Sequence, residues 1–251
     1  MSTLLDVATV IRSDTDDAGQ DWAAVPRDIQ YWDAAAALIA QDRCVSGNAS
    51  LIAGSLTGTP SVYTVSAFGA MVSALAPERC TDRQQEDLYA RLHSYLDDAT
   101  DRTAGYVLWN GLPGWGPREP FMLNSDVDTV AASADVTTTV ASVLGAYYAG
   151  SVDSNPTLHM GYQAAIALSI GQAASPTPTS SKLYLEATGT PIVMSPSYPA
   201  TAVAATGPVI VRLGSTIKDF QIHDPTINRV RLVSQRLAAV EFNPASAVRA
   251  V

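Results

Sequence analysis

The sequence predicts an α+β protein that buries a core of its own. Three observations predict this class. The chain has 251 residues, 47% of them hydrophobic, which is enough for a sizeable core without cross-links. A long amphipathic helix pattern lies in the middle of the chain, and three β-prone stretches follow near its end. A small protein held together by disulfides is therefore excluded.

An N-terminal arm is predicted over residues 1–28. This segment is polar, rich in Asp and only weakly periodic, so we expect it to become ordered mainly through contacts, with the core beginning after it. Residues 29–43 then lead into the core. Within them, IQYWDAAAALI at 29–39 has the spacing of a helix.

A long hairpin is predicted over residues 44–66. The segment contains three glycines and Pro60, with short β-prone pieces on either side. This pattern favours two strands joined by an extended loop, whose exposed tip is made of small residues.

The strongest element of the sequence is a helix over residues 81–108. Thr81 and Gln84 have the spacing of a capping box at its start. With a rise of 1.5 Å per residue, such a helix is about 40 Å long and would form a spine for the fold. The residues predicted to share one buried stripe are Leu88, Leu92, Leu96, Ala99, Thr103 and Val107.

Shorter elements follow the long helix. Residues 109–121 contain three Gly and three Pro and are expected to be irregular. Helices are predicted at 137–149, ending at Gly150, and at 161–171, with a short strand at 156–160 between them. The first helix should turn Val140, Val143, Leu144 and Tyr147 inward. Composition makes 175–181 a loop, and strands are expected from 190, from 207 and over 228–242.

The charge content is low for a protein of this size. Charged residues make up 16% of the chain, below the roughly 25% typical of globular domains. Protein interfaces are depleted in charge, so much of the exterior could face other subunits. An ordinary Ala-rich protein would have the same composition, and composition alone leaves both interpretations open.

The charges are also unevenly placed, and the net charge of −9 argues against a primary nucleic-acid binder. Residues 1–33 carry seven Asp and two Arg, whereas 205–251 carry a net charge of +3. We hypothesise that the acidic arm contacts Arg229, Arg231 and Arg236 of another subunit. A solvated acidic arm is the alternative.

Motifs for chemistry are missing from the sequence. The string GSLTG at 54–58 has its serine out of register for a nucleophile elbow, and the glycines at 111–116 follow a helix instead of preceding one. The three His residues and the two cysteines, Cys44 and Cys80, are scattered singly, and we expect the cysteines to be free thiols. We therefore predict no catalytic, cofactor-binding or metal-ligating residues, and no membrane span or targeting segment.

A few residues still invite a chemical interpretation. His159, in the apolar strand, is expected to be a core residue with its hydrogen bonds satisfied. His223 and Asp224 are neighbours on a predicted strand and would point to opposite faces. The pair Asp97 and Asp98 is expected to be a solvated helix face. The aromatic residues Trp109, Trp115 and Phe121 should pack the end of the long helix, with a ligand platform as the alternative.

The order of these elements resembles a tailed-phage major capsid protein of the Hong Kong 97 (HK97-like) fold, and most of all the head proteins of phages that infect actinobacteria. Three segments carry the resemblance: CTDRQQEDLYARL leading to YVLWNG, GTPIVMSPSYP, and ATGPVIVRLG followed by Asn228 and the last strand. The likeness extends from about residue 40 to the C-terminus.

The resemblance implies an α+β HK97-like capsid fold with named parts. Residues 44–66 would be the extended loop, laid over a neighbouring subunit. Residues 67–130 would be the peripheral domain, with spine helix 81–108, and 131–205 the axial domain around five-fold and six-fold axes. Residues 206–251 would return to the peripheral domain.

The implied function is structural. Pentamers and hexamers of the chain would close an icosahedral head in the host cytoplasm and, in the virion, enclose double-stranded DNA through non-specific contacts. A separate scaffold, a decoration protein, a portal and a protease are the implied partners. Some relatives cross-link through a Lys in the extended loop, but Lys182 and Lys218 are the lysines here, so no such cross-link is predicted.

Three other functions remain open at this point. An encapsulin-like compartment uses the same fold to enclose an enzyme instead of DNA. An enzyme with an unrecognised site belongs to another class, and the missing motifs argue against it. A decoration or tail protein would lack the long helix and the axial segment.

Overall fold

The computed structural model describes residues 3–13, 27–31, 61–76, 81–116, 118–151, 155–170, 174–176, 183–224 and 229–251. The helices are α1 (Leu4–Val7), α2 (Asp82–Asn110), α3 (Val136–Gly150) and α4 (Tyr162–Ile170). The strands before α3 are β1 (Thr9–Ser13), β2 (Arg27–Tyr31), β3 (Ser61–Val65), β4 (Phe68–Leu75) and β5 (Asp128–Val130). The later strands are β6 (Thr157–Met160), β7 (Ala174–Pro176), β8 (Leu183–Leu185), β9 (Thr190–Met194), β10 (Val203–Thr206), β11 (Ile210–Asp224), β12 (Arg229–Glu241) and β13 (Val248–Ala250).

The first sheet has the strand order β1-β11-β12-β4, and α2 lies along one of its faces. Strands β11 and β12 form a long antiparallel ribbon whose register shifts between Leu213 and Ile217. Apolar residues of this sheet, including Val211 and Val240, meet Leu108 of α2 in the main core. The long helix therefore serves as the support of the sheet.

The second sheet has the order β5-β13-β10-β6-β9-β8-β7 among the described strands. Strand residues alternate between two faces, and both faces are buried at its centre. Leu158 and Ile192 pack with α3 and α4 in a second core, whereas Val193 and Ala204 belong to the main core beside α2. This sheet therefore joins the two cores.

The prediction for α2 is confirmed. Thr81 caps the start of the helix at Asp82: its hydroxyl accepts from the amide of Gln84, while the Gln84 side chain accepts from the Thr81 amide. It runs 29 residues to Asn110, slightly beyond the predicted end.

The predicted buried stripe of α2 is confirmed at Leu92, Leu96 and Val107, which are buried. Between Leu96 and Val107 the buried positions include Thr100 and Ala104, whereas the predicted Ala99 and Thr103 are only half-buried. Residues four apart drift about 40° around an α-helix, since each residue turns it by about 100°. The buried side follows this drift from Leu92, which packs with Leu232 of β12, to Ala104 and Leu108 in the main core.

The N-terminal segment is part of the core, so the expectation that the core begins after the arm is wrong. Leu4 is fully buried in the main core, and β1 pairs in parallel with β11. The amide of Leu5 donates to a carboxylate oxygen of Asp101 on α2 at 2.9 Å. Burial raises the pKa of Asp101, and this hydrogen bond partly offsets the rise. The rest of the predicted arm, 14–26, lies outside the described residues.

The predicted helix at 29–39 is wrong where it can be examined. Residues 29–31 belong to β2, which pairs antiparallel with β3, Arg27 opposite Val65 and Tyr31 opposite Ser61. Long-range strand pairing overrides the local helical spacing here. The first strand of the hairpin therefore lies before residue 44, and residues 32–60 lie outside the described part of the chain.

The later predictions are mostly confirmed. Helices α3 and α4 and strands β6, β9 and β12 match their expected positions, and Val140, Val143, Leu144 and Tyr147 are buried. Within the loop predicted at 175–181, residues 175 and 176 belong to β7, because they pair with β8. The strand expected from 207 begins at Ile210 and extends to Asp224, where β12 supports its whole length.

Candidate functional site

His159 is a buried core residue, as the sequence analysis expects. It lies on β6, where Nδ1 is 3.1 Å from the Tyr198 hydroxyl and Nε2 is 2.9 Å from the Thr206 hydroxyl. The ring is fully buried, and burial lowers the pKa of His159 from 6.5 to about 3. Burial likewise raises the pKa of Tyr198. The imidazole is thus a neutral structural link between β6, β10 and the loop before β10.

This burial predicts an acid-dependent loss of stability. Between pH 6.5 and about 3 the unfolded chain binds a proton at His159 that the folded chain excludes. The free energy of unfolding should therefore decrease as the pH is lowered through this window, by about 1.4 kcal/mol per pH unit. Relative to H159Q, the wild-type protein should lose about 2 kcal/mol between about pH 7 and about pH 5 in denaturant titrations.

The matched control for this experiment is H223Q, because His223 is exposed on β11. H223Q retains His159 and should therefore show the acid-dependent loss of stability assigned to it. Parallel pH profiles for H159Q and the wild-type protein would contradict the assignment of the acid sensitivity to His159.

A chain of polar side chains links α2 to the first sheet. His93 Nε2 lies 2.9 Å from an Asp219 carboxylate oxygen, and the Ser234 hydroxyl donates to Asp219 at 2.6 Å. The three residue types are those of a hydrolase triad, but they contact one another in a different order. In a triad the histidine accepts the serine proton, whereas here Ser234 and His93 both contact the carboxylate. The arrangement attaches the β11–β12 ribbon to α2 and does not activate a nucleophile.

Asp97 and Asp98 lie on a solvated helix face, as expected, and the Asp97 side chain is 61% exposed. Asp97 also forms an ion pair with Nη1 of Arg236, which is buried on β12. This ion pair bears on the hypothesis for the acidic arm. Arg236 is engaged by a carboxylate of its own chain, so it is not available to the arm of another subunit. Arg231 is exposed, and the side chain of Arg229 lies outside the described residues.

The three aromatic residues pack the end of α2, as predicted. The Trp109 ring is buried with its centroid 5.1 Å from that of Tyr198, and the Trp115 and Phe121 centroids are 6.2 Å apart. Gly111 ends the helix with φ of 70°, and its amide donates to the Val107 carbonyl at 2.8 Å. A Cβ at this position would lie 3.0 Å from Phe121. The rings therefore close over the helix end instead of forming an open platform.

Among the described residues, His, Cys, Asp and Glu side chains nowhere gather in a group of three or more that could hold a metal ion. No helix in this described part of the chain is both long and apolar enough to cross a membrane. Cys44, Cys80 and Lys182 lie outside the described residues, as does the side chain of Lys218.

Exposed apolar side chains are the more distinctive surface feature. One group lies on the face of the first sheet opposite α2, where Met71 and Leu75 of β4 lie on one side of β12 and Phe220 and Ile222 of β11 on the other. Two further exposed apolar side chains, Tyr148 of α3 and Ile166 of α4, lie on residues 131–205, which hold most of the second core and which we call the second body. Separate apolar surfaces on one chain are typical of a subunit that contacts several neighbours.

Comparison with solved structures identifies the fold. The capsid of a native GTA particle matches at a TM-score of 0.55 and 13% identity, over 99% of this chain and 89% of that one. A chain of Microbacterium phage Oxtober96 matches at 0.55 and 12%, over 100% and 91%. The SrpI encapsulin of Synechococcus elongatus PCC 7942 matches at 0.51 and 10%, over 98% and 85%. The chain has the HK97-like capsid fold.

The capsid fold is shared with these structures at low sequence identity. No family model matches the chain. No curated protein matches it either. At 10–13% identity what is shared is the overall arrangement of the fold. This explains why only short segments of the sequence carry the resemblance.

Several contacts of this capsid fold were not anticipated from the sequence. They are the ion pair of Arg212 with Glu241, that of Arg236 with Asp97, and the hydrogen bond from Leu5 to Asp101. The partners of the last two lie 139 and 96 residues apart. For Arg212 and Glu241, the positions within an alternating strand pattern were the one available signal.

Proposed function

We infer that this protein is the subunit of a closed shell, with no enzymatic role. The observation that carries the inference is the capsid fold over essentially the whole chain. Structural proteins of this kind act through geometry, so they need complementary surfaces and no reactive side chains. The buried His159 and the inactive order of His93, Asp219 and Ser234 agree with that role.

The composition of the surface supports assembly. The chain has 16% charged residues, and among its described residues large apolar side chains are exposed both on the first sheet and on the second body. Charge depletion with exposed apolar area is what interfaces between subunits require. Of the two interpretations that composition left open, burial of the exterior by other copies is therefore favoured.

More specifically, we propose that the shell is a phage head and that this chain is its major capsid protein. Pentamers and hexamers would form an icosahedral head around double-stranded DNA, assembled in the host cytoplasm and retained in the virion. The matched GTA capsid was computed with C5 symmetry, which supports five-fold rings. A phage G structure of the same comparison contains decoration proteins beside its major capsid proteins. A separate scaffold, a portal and a protease complete the proposed set of partners.

The domain assignment belongs to this proposal. Residues 67–130 and 206–251 would form the peripheral domain, and 131–205 the axial domain. In support, α2 packs on β4 and β12, whereas α3 and α4 pack with a different core. The extended loop would span the hairpin that begins with β2 and ends with β3.

An encapsulin-like compartment is the second candidate, favoured by the match to the SrpI encapsulin. The two candidates differ in cargo, not in shell geometry. A phage head would protect DNA from nuclease, whereas a compartment would retain a co-expressed protein.

The first test is the size of the expressed protein. Light scattering coupled to size exclusion should report megadalton particles or rings of five or six copies, and negative-stain images should show closed shells. Nuclease treatment followed by DNA and protein staining then distinguishes the two cargoes. A 26.4 kDa monomer that persists after phage lysate is added would contradict the shell function.

A further inference from the structure

A groove lies between α3 and the turn that joins β8 to β9. It encloses about 590 Å³ and is lined mostly by apolar side chains, including Leu168 of α4 and Leu185 of β8. Glu186 supplies the one acidic group of this lining, which lies entirely within the described residues. The α3 wall consists of residues at helical spacing along one side of the helix: Thr137, Val140, Ala141, Leu144 and Tyr148. The recess can therefore accept an apolar side chain, with Tyr148 at 45% exposure on its wall.

The body that holds the groove is nearly uncharged. Residues 131–205 contain four charged residues in 75, namely Asp135, Asp153, Lys182 and Glu186. The other 176 residues of the chain contain 35. A surface that remains in water normally keeps its Lys and Glu, whereas the centre of an interface loses them. This distribution indicates that the body is covered by protein.

Ile166 is the counterpart of the groove on the same body. Its side chain is 55% exposed on α4. Ile166 and Leu168 are two residues apart, so they point about 200° apart around the helix. Since Leu168 lines the groove, Ile166 projects from another face of the body. Among the described residues of 131–205, the exposed large apolar side chains are Ile166 and Tyr148, and Tyr148 already lines the groove.

We propose that Ile166 of one copy inserts into the groove between α3 and the β8–β9 turn of the next copy around a ring. This rests on the proposed shell function. A ring closes through heterologous contacts, in which two different surfaces of the same chain meet. A recess and a projecting side chain on different faces of one uncharged body provide those two surfaces.

A disulfide experiment tests the contact directly. The variant A141C/I166C places one cysteine in the groove wall and the other at the projecting position. Oxidation of its assembled particles should produce a ladder of covalent oligomers on a non-reducing gel, up to the size of a ring. The single variants A141C and I166C report the background from Cys44 and Cys80, and A141C/Y106C is the matched control, because Tyr106 is exposed on α2.

A second pair of variants tests the same contact if A141C/I166C does not assemble. I166E should lower the yield of particles by about tenfold or more, since a carboxylate would enter an apolar recess whose one charged group, Glu186, is also acidic. Q163E, at an exposed position of α4, should assemble like the wild-type protein. Particles of A141C/I166C without a ladder, or a normal yield of I166E, would overturn the contact, for example in favour of a small apolar ligand in the groove. Failure of the wild-type chain to form particles would instead contradict the shell function itself.

Discussion

Replacement of Gly161 by alanine should destabilise the protein by about 3 kcal/mol or more. Gly161 connects β6 to α4, and a Cβ at this position would lie 1.9 Å from the Pro199 carbonyl oxygen and 2.5 Å from that of Ala200. Both obstacles are backbone atoms, which cannot rotate away as a side chain can. The chain would have to move at a junction of the second core.

That movement is opposed by the hydrogen bonds around the junction. The Ala200 carbonyl accepts from the amides of Gln163 and Ala164, at 3.0 and 3.2 Å. The Gly161 amide donates to the Ala202 carbonyl at 2.9 Å. Relief of the collision would break some of these bonds and leave buried backbone groups unpaired. We therefore expect G161A to be one of the most damaging single substitutions in the chain.

Urea unfolding of G161A and the wild-type protein in the same assembly state measures this effect. The matched control is G145A, because Gly145 lies in the interior of α3, with no atom within 4 Å of an added Cβ. That substitution should stabilise the protein by about 0.5–1 kcal/mol, because alanine favours the helix. Equal unfolding midpoints for G161A and the wild-type protein would contradict the contact geometry.

Removal of the Arg212 side chain should cost about 3–5 kcal/mol. Arg212 on β11 and Glu241 on β12 form a two-pronged ion pair, in which Nε donates to Oε1 and Nη2 donates to Oε2 at 3.0 Å. The Glu241 side chain is only 3% exposed. In R212A this carboxylate would stay buried without its counter-ion, which is the costly outcome.

A double variant separates the ion pair from the packing. R212L/E241L replaces both charges by apolar groups, so its unfolding free energy should return to within about 1–2 kcal/mol of the wild-type value. R102A is the surface control, since Arg102 is exposed on α2, and it should change stability by less than about 0.5 kcal/mol. Denaturant titrations of the four proteins give the comparison. If R212L/E241L were as unstable as R212A, the loss could not be assigned to an unpaired buried charge.

Local patterns in the sequence were sufficient for the elements that local contacts stabilise. Thr81 and Gln84 mark the start of α2 because the capping box involves residues only three apart. The buried side of α3 is correct because its residues repeat at helical spacing along one short element. The resemblance to a capsid protein rests on the order of such elements, and order along the chain survives at 10–13% identity.

Long-range pairing decided the features that the sequence analysis missed. Residues 29–31 have helical spacing but become a strand because β3, about thirty residues later, pairs with them. Leu4 enters the core because β1 pairs with β11, roughly two hundred residues away.

The same division between local patterns and long-range packing applies to the candidate contact surfaces. The sequence by itself determined the main helix, most later strands, the low charge of residues 131–205 and the capsid-like order of the chain, since these depend on neighbouring residues or on composition. Only the tertiary structure decided that Arg236 faces Asp97, that Glu241 is buried with Arg212, and that a groove and Ile166 lie on different faces of one body. Contacts between distant residues depend on how the sheets and helices pack, and no local pattern of residues specifies that packing.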